Sequence, residues 1–225
     1  MITFHQWLDL PYKEWVNHVF DHPVTDPAWH WDDNADTLEP TPKTTVEFLT
    51  TLFSTPDTCL EQFSDEQLNQ GFWYLVSNPC SSYMFPLLET DVPWPQRKEC
   101  IRSISTLFEL LFAKRCSPHL SHFDESGANP LNGVCYMWWD IFPSWGNPDD
   151  PDCEMRDQEL LKVMERILSL DSIACLESAL HGLSHWHLHY PQKTSCIIDH
   201  FLKNHGDMRI DLREYALAAQ DGGVE

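Results

Sequence analysis

Basic residues are almost missing from the first part of this sequence. Residues 1–96 contain only Lys13 and Lys43 as cations, against fifteen acids, and residues 97–225 contain twelve cations against twenty acids. The formal net charge of the chain is −21 at pH 7. A negative field of this size repels nucleic acid and anionic membranes and attracts basic proteins. The charge therefore argues against a nucleic-acid-binding protein.

Long apolar runs are also missing. No segment approaches the roughly 20 consecutive apolar residues that a membrane-spanning helix needs. The opening stretch, residues 1–7, has neither the basic region nor the apolar run of a signal peptide. We therefore expect a cytoplasmic protein without a membrane partner, whose eight cysteines stay reduced.

Familiar catalytic motifs are lacking as well. The sequence has no GxSxG nucleophile motif, no phosphate-binding P-loop and no dinucleotide-binding glycine fingerprint. These absences favour a binding protein over an enzyme, although they leave metal-dependent chemistry open.

Apolar residues recur every three or four positions, which predicts an all-α fold. The clearest stripes lie in the last third, and Pro191 is placed to open a helix. Glycine is scarce, at eight residues, and sixteen prolines separate short helical segments. We predict an acidic, Trp-rich helical part over residues 1–116, a connecting loop over 117–133 and a helical part over 134–225. Whether the two helical parts form one continuous domain stays open.

Residues 171–205 have the pattern of a helical hairpin, with two helices joined by a short turn. Asp171 is placed to cap the first helix, which carries the small residues Ala174, Ala179, Gly182 and Ser184. The second helix has an Ile-Ile-x-x-Phe-Leu stripe. This segment resembles a HEAT-type repeat, and with the preceding CYMWWDIFPSWG it is similar to bacterial HEAT-like proteins over about residues 135–205. The resemblance implies HEAT-like hairpins or a short α-solenoid with an irregular N-terminal half, and it implies no activity.

A histidine-rich helix is the first candidate site. Glu177, His181, His185 and His189 follow one another at intervals of four residues, so neighbours share a helix face. Histidines one turn apart can bind Zn²⁺ or another divalent metal, with a further ligand from elsewhere in the chain. The alternative is a solvated polar face opposite Leu176, Leu180 and Leu183.

Two weaker sets contain cysteine. The segment Cys116, His119, His122 and Asp124 has the residue types of a zinc site without a second ligand pair. Cys196 and His200, one turn apart, are a possible thiolate–imidazole pair, with a buried structural cysteine as the alternative.

The proline-rich acidic loop over residues 21–42 is a candidate partner-binding surface. It combines two tryptophans with carboxylates, and an aromatic anchor beside acids suits a partner rich in Arg and Lys. The predicted partner-binding residues are Trp29, Trp31, Asp32, Asp33 and Asp36. For Trp138 and Trp139 a role in the core is expected.

These patterns give three hypotheses. The first is an acidic helical module that binds a basic protein, for example an immunity or inhibitor protein that neutralises a cationic toxin or nuclease. The second is a metal-dependent enzyme that uses residues 177–189. The third is a structural subunit of an obligate complex.

Overall fold

The computed structural model describes residues 12–32 and 35–224, and all the regular secondary structure in these ranges is helical. The prediction of an all-α fold is confirmed, since no strand occurs in these ranges. No helix in them is both long and apolar enough to cross a membrane. The α-helices are α1 (Tyr12–Phe20), α2 (Pro42–Ser54), α3 (Pro56–Cys59), α4 (Asp65–Val76), α5 (Trp94–Leu107), α6 (Ala113–Arg115), α7 (Leu131–Ile141), α8 (Pro151–Ile167), α9 (Ile173–His187), α10 (Pro191–Asn204) and α11 (Ile210–Gln220).

Helix starts follow local sequence signals. Ser64 and Gln67 form a capping box at α4, in which each side chain accepts from the other residue's backbone N–H. Pro42 opens α2 after the Thr41 cap, and Pro191 opens α10 as predicted. The cap of α9 is Ser172 rather than the predicted Asp171, because the Ser172 hydroxyl accepts from the backbone of Cys175.

One hydrophobic cluster runs through both helical parts. Phe53 of α2 and Phe72 of α4 both contact Trp138 of α7, with ring centroids 6.0 and 5.9 Å apart. Trp138 and Trp139 are fully buried, so their predicted role in the core is confirmed. The buried side chains of the acidic N-terminal part thus belong to the same core as those of the C-terminal part.

Helix α9 lies at the centre of the C-terminal part, where it packs against α7, α8, α10 and α11. Twelve of its fifteen residues are buried, so it has no broad solvated face. Glu177 and His181 are 0% and 1% exposed. The expectation of a polar face in water was therefore wrong for these two residues, because the loop before α7 covers Glu177 and Tyr215 of α11 covers His181.

Candidate metal centre

The centre forms where α7 and α9 pack closely together. Gly182 makes the approach possible, since a Cβ atom at this position would lie 2.5 Å from the Trp139 ring. Trp139 therefore sits directly on the α9 backbone. Its neighbour Asp140 is carried towards His181 and His185, which lie one turn apart on α9.

Three ligand atoms converge at this point. The Nε2 atoms of His181 and His185 are 3.2 Å apart, and Nε2 of His185 is 3.4 Å from Oδ1 of Asp140. All three ligand atoms lie within 4.8 Å of one another. Two atoms that each lie about 2.1 Å from one ion are about 3.0–3.4 Å apart at bond angles between 90° and 109°. The separations of 3.2 and 3.4 Å match that spacing.

The electrostatics suit a cation. Burial, and then the neighbouring His185 and His122, lower the pKa of His181 to about 3. His181 is therefore neutral near pH 7, as a metal ligand must be. The Asp140 and His185 side chains are 30% and 22% exposed, so an ion has a route to the cluster.

Aromatic rings surround the ligands. The ring of Tyr136 lies against His181, with centroids 4.3 Å apart, and Trp145 stacks nearly parallel to His185 at 5.7 Å. The loop that carries Trp145 is fixed by the buried carboxylate of Asp157, which accepts from the backbone N–H of Asn147 at 2.7 Å. Trp145 itself is 46% exposed, so it flanks the mouth of the site without closing it.

Only two of the four predicted metal-binding residues belong to this cluster. Glu177 points instead to the loop before α7, where it accepts from the backbone N–H groups of Ser121 and His122 and from Nδ1 of His122 at 2.6 Å. His189 is exposed and lies beyond the last residue of α9. The prediction is corrected for both positions: the Glu177 carboxylate binds backbone N–H groups inside the fold, and the His189 imidazole lies beyond the end of α9.

The candidate set around Cys116 does not assemble into a metal site. Within the described ranges, Asp140, His181 and His185 are the only group of three placed to hold an ion. His119 contacts the Ser117 hydroxyl, and His122 is bound to Glu177, so the predicted set around Cys116 is dispersed. Cys196 is exposed rather than buried.

The acidic loop is placed differently from one residue to the next. Trp29 stacks on His22, with ring centroids 3.6 Å apart, and is therefore packed against the protein. Trp31 is 59% exposed, and Asp32 and Asp36 are exposed as well. Asp33 lies outside the described residues.

Asp140 and Tyr215 are the site residues that sequence reasoning missed. Asp140 follows two core tryptophans in an apolar helix, and nothing in its spacing connects it with the histidines. Tyr215 belongs to α11, where its hydroxyl lies 2.9 Å from Nδ1 of His181. The available signal was that a metal site on α9 needs a further ligand. A search for acids at the ends of apolar helices would have reduced the number of candidates for that ligand.

Compared with known protein families, with curated proteins and with solved structures, the chain matches none of them. The function is therefore inferred from the sequence and the geometry of the chain itself.

Proposed function

We propose that the protein binds one divalent metal ion through Asp140, His181 and His185, in a centre of the catalytic type. The observation that carries this proposal is the convergence of the three ligand atoms, with neighbouring separations of 3.2 and 3.4 Å. Two histidines and one carboxylate leave coordination positions free, as in catalytic zinc sites and non-haem iron centres. Structural zinc sites instead use four protein ligands.

The arrangement of hydrogen-bonding atoms supports a bound ion. The Nε2 atoms of His181 and His185 and the carboxylate of Asp140 face one another. A proton on Nε2 of His185 would be divided between two acceptors, at 3.2 and 3.4 Å, and could satisfy only one of them well. A divalent cation satisfies all three acceptors at once.

The test is to load the metal-free protein with Zn²⁺, Mn²⁺, Fe²⁺ or Co²⁺ and measure bound metal by elemental analysis and calorimetry. We expect one ion per chain, and His181→Ala or Asp140→Asn should weaken binding by 100-fold or more, as an order of magnitude. His189→Ala is the matched control and should bind normally, because His189 lies outside the cluster. Absence of stoichiometric binding by the wild type would overturn the proposal.

A second function is supported by the acidic loop: binding of a basic protein, for example inhibition of a cationic toxin or nuclease. Residues 21–42 carry six acids and no Lys or Arg, and Trp31 is exposed among them. We place the partner-binding surface on Trp31, Asp32 and Asp36, since Trp29 is packed on His22. A basic partner should be retained in low salt and lost in high salt. Trp31→Ala should weaken retention, and Trp145→Ala, which changes another exposed tryptophan, should not.

For the architecture, we keep the HEAT-like arrangement as a proposal. Helices α9 and α10 pack together and are joined by a short connection, which supports a repeat-like hairpin. A solenoid would extend this hairpin by stacking neighbours on it.

A further inference from the structure

Helix α11 brings one polar group into the interior beside the metal ligands. The Tyr215 side chain is 7% exposed, and its hydroxyl contacts two groups. One is Nδ1 of His181 at 2.9 Å, and the other is the Tyr136 hydroxyl at 3.3 Å. A tyrosine hydroxyl has an ordinary pKa of about 10, so it keeps its proton at pH 7.

The single proton of that hydroxyl determines the tautomer of His181. Tyr215 donates its proton to the oxygen of Tyr136. Towards His181, the Tyr215 oxygen must then act as an acceptor, so the imidazole proton lies on Nδ1. A neutral imidazole has only one N–H, and Nε2 of His181 therefore presents its lone pair to the cluster.

Further contacts hold the Tyr215 ring in place. The ring of His122 packs on it, with centroids 4.3 Å apart, and His122 is itself bound to the buried carboxylate of Glu177. At the start of α11, Arg209 pairs with Glu125 of the loop before α7 at 2.7 Å. The hydroxyl is thus fixed relative to α9 from two directions.

We propose that Tyr215 is a positioning residue of the metal centre, which fixes His181 in the tautomer that can bind the ion through Nε2. This inference depends on the proposed metal function. Hydrogen bonds from a ligating histidine's second nitrogen set its orientation and tautomer, and their loss costs about 10–100-fold in metal affinity. Glu177 and His122 act one layer further out, by supporting the ring of Tyr215.

The experiment compares Tyr215→Phe with Tyr83→Phe. Tyr83 is a buried tyrosine whose hydroxyl donates to the Leu38 carbonyl in the N-terminal part, so the chemical change is the same and lies away from the site. Zn²⁺ affinity is measured by competition with a chelator, and ¹⁵N NMR of labelled histidine reports the His181 tautomer in metal-free protein. We expect Tyr215→Phe to bind one ion about 10–100-fold more weakly, with a mixed His181 tautomer, and Tyr83→Phe to match the wild type.

Each result decides the proposal. Wild-type affinity in Tyr215→Phe, together with loss of binding in His181→Ala, would leave the metal site standing and overturn the role of Tyr215. A proton on Nε2 of His181 in the metal-free wild type would overturn it too, and this measurement needs no variant. If the wild type binds no metal, the proposed function fails, whereas the tautomer measurement still tests the contact between Tyr215 and His181. Tyr136→Phe frees the proton of Tyr215 to point at Nδ1, so it should shift the tautomer in the same direction.

Discussion

Two groups of histidines lie in this molecule, and they are arranged in opposite ways. In the C-terminal part, His181 and His185 point ring nitrogens at each other and at a carboxylate. In the N-terminal part, His22 stacks face to face with Trp29, and His30 stacks on Tyr74. The first group directs ring nitrogens at one point in space, and the second presents ring faces.

Three ring nitrogens of the N-terminal group are hydrogen-bonded or buried apart from other ligand atoms. Nε2 of His22 is bound to the His18 carbonyl at 2.7 Å, and Nε2 of His18 lies 3.4 Å from the Tyr74 hydroxyl. Nδ1 of His30 is buried with no hydrogen-bond partner. Histidine content alone therefore does not indicate a metal site. The direction of the ring nitrogens does, and we expect only the C-terminal group to bind an ion.

The largest expected effect concerns Glu177, the buried carboxylate one helical turn before His181. Glu177→Gln keeps one acceptor oxygen but replaces the other by an NH₂ group, which cannot accept from the N–H donors around it. We expect a loss of about 3 kcal/mol in the free energy of unfolding, because buried donors lose their partners. Urea denaturation measures this. Among the residues that the structure describes, no buried carboxylate lies in the N-terminal group, so His22→Gln should cost much less.

The same variant distinguishes a structural role of Glu177 from a role as a metal ligand. Glu177→Gln should still bind one ion at saturating Zn²⁺, because Glu177 is occupied by Ser121 and His122. Complete loss of metal from a folded Glu177→Gln protein would contradict this assignment and restore Glu177 as a ligand.

Alanine in place of glycine compares the two regions directly. A Cβ at Gly71 would lie 2.3 Å from Phe20, and one at Gly182 would lie 2.5 Å from Trp139. We expect each substitution to destabilise the protein by about 2 kcal/mol, since overpacked cores must shift. Thermal denaturation measures both effects.

Metal affinity should distinguish the two variants. Gly182→Ala pushes Trp139, and with it Asp140, away from α9, so Zn²⁺ binding should weaken. Gly71→Ala alters packing between α4 and α1 and should leave binding unchanged. Equal affinities in the two variants would show that the close approach of α7 and α9 does not set the ligand geometry.

Most of the fold could be predicted from the sequence, because helix starts and core stripes are local signals. Pro191, the capping box at Ser64 and the stripe through Leu176, Leu180 and Leu183 each depend on residues within a few positions of one another. Two of the three residues of the candidate metal cluster are also close in sequence, since His181 and His185 lie one turn apart.

The rest of the site depends on which helices pack around α9. Asp140 reaches the histidines only because Gly182 accommodates Trp139, and Glu177 is buried only because the loop before α7 folds over it. A periodic pattern marks Glu177 and His189 as equivalent to His181. Tertiary packing makes them different, because each faces a different neighbouring segment. The helical pattern of one sequence does not show which segments pack against α9.

The smallest expected effect concerns pH and the N-terminal group. Burial, together with the neighbouring His22, lowers the pKa of both His18 and His30, while Asp36 opposes the shift at His18. The folded state keeps these imidazoles neutral, whereas an unfolded histidine takes up a proton below about pH 6.5. Their contribution to stability is therefore complete above about pH 6.5 and falls as the pH drops towards their lowered folded-state pKa values.

We expect the wild type to lose about 1 kcal/mol more than a His18→Gln/His30→Gln variant between pH 7.5 and pH 5, in metal-free urea denaturation. His181 lowers stability in acid in the same sense, but it is present in both proteins and cancels from the difference. His189→Gln/His200→Gln, which changes two exposed histidines, is the control and should follow the wild type. An unchanged pH dependence in the His18/His30 variant would mean that the N-terminal rings can be protonated where they lie, and the contrast between the two histidine groups would then reduce to the presence of Asp140.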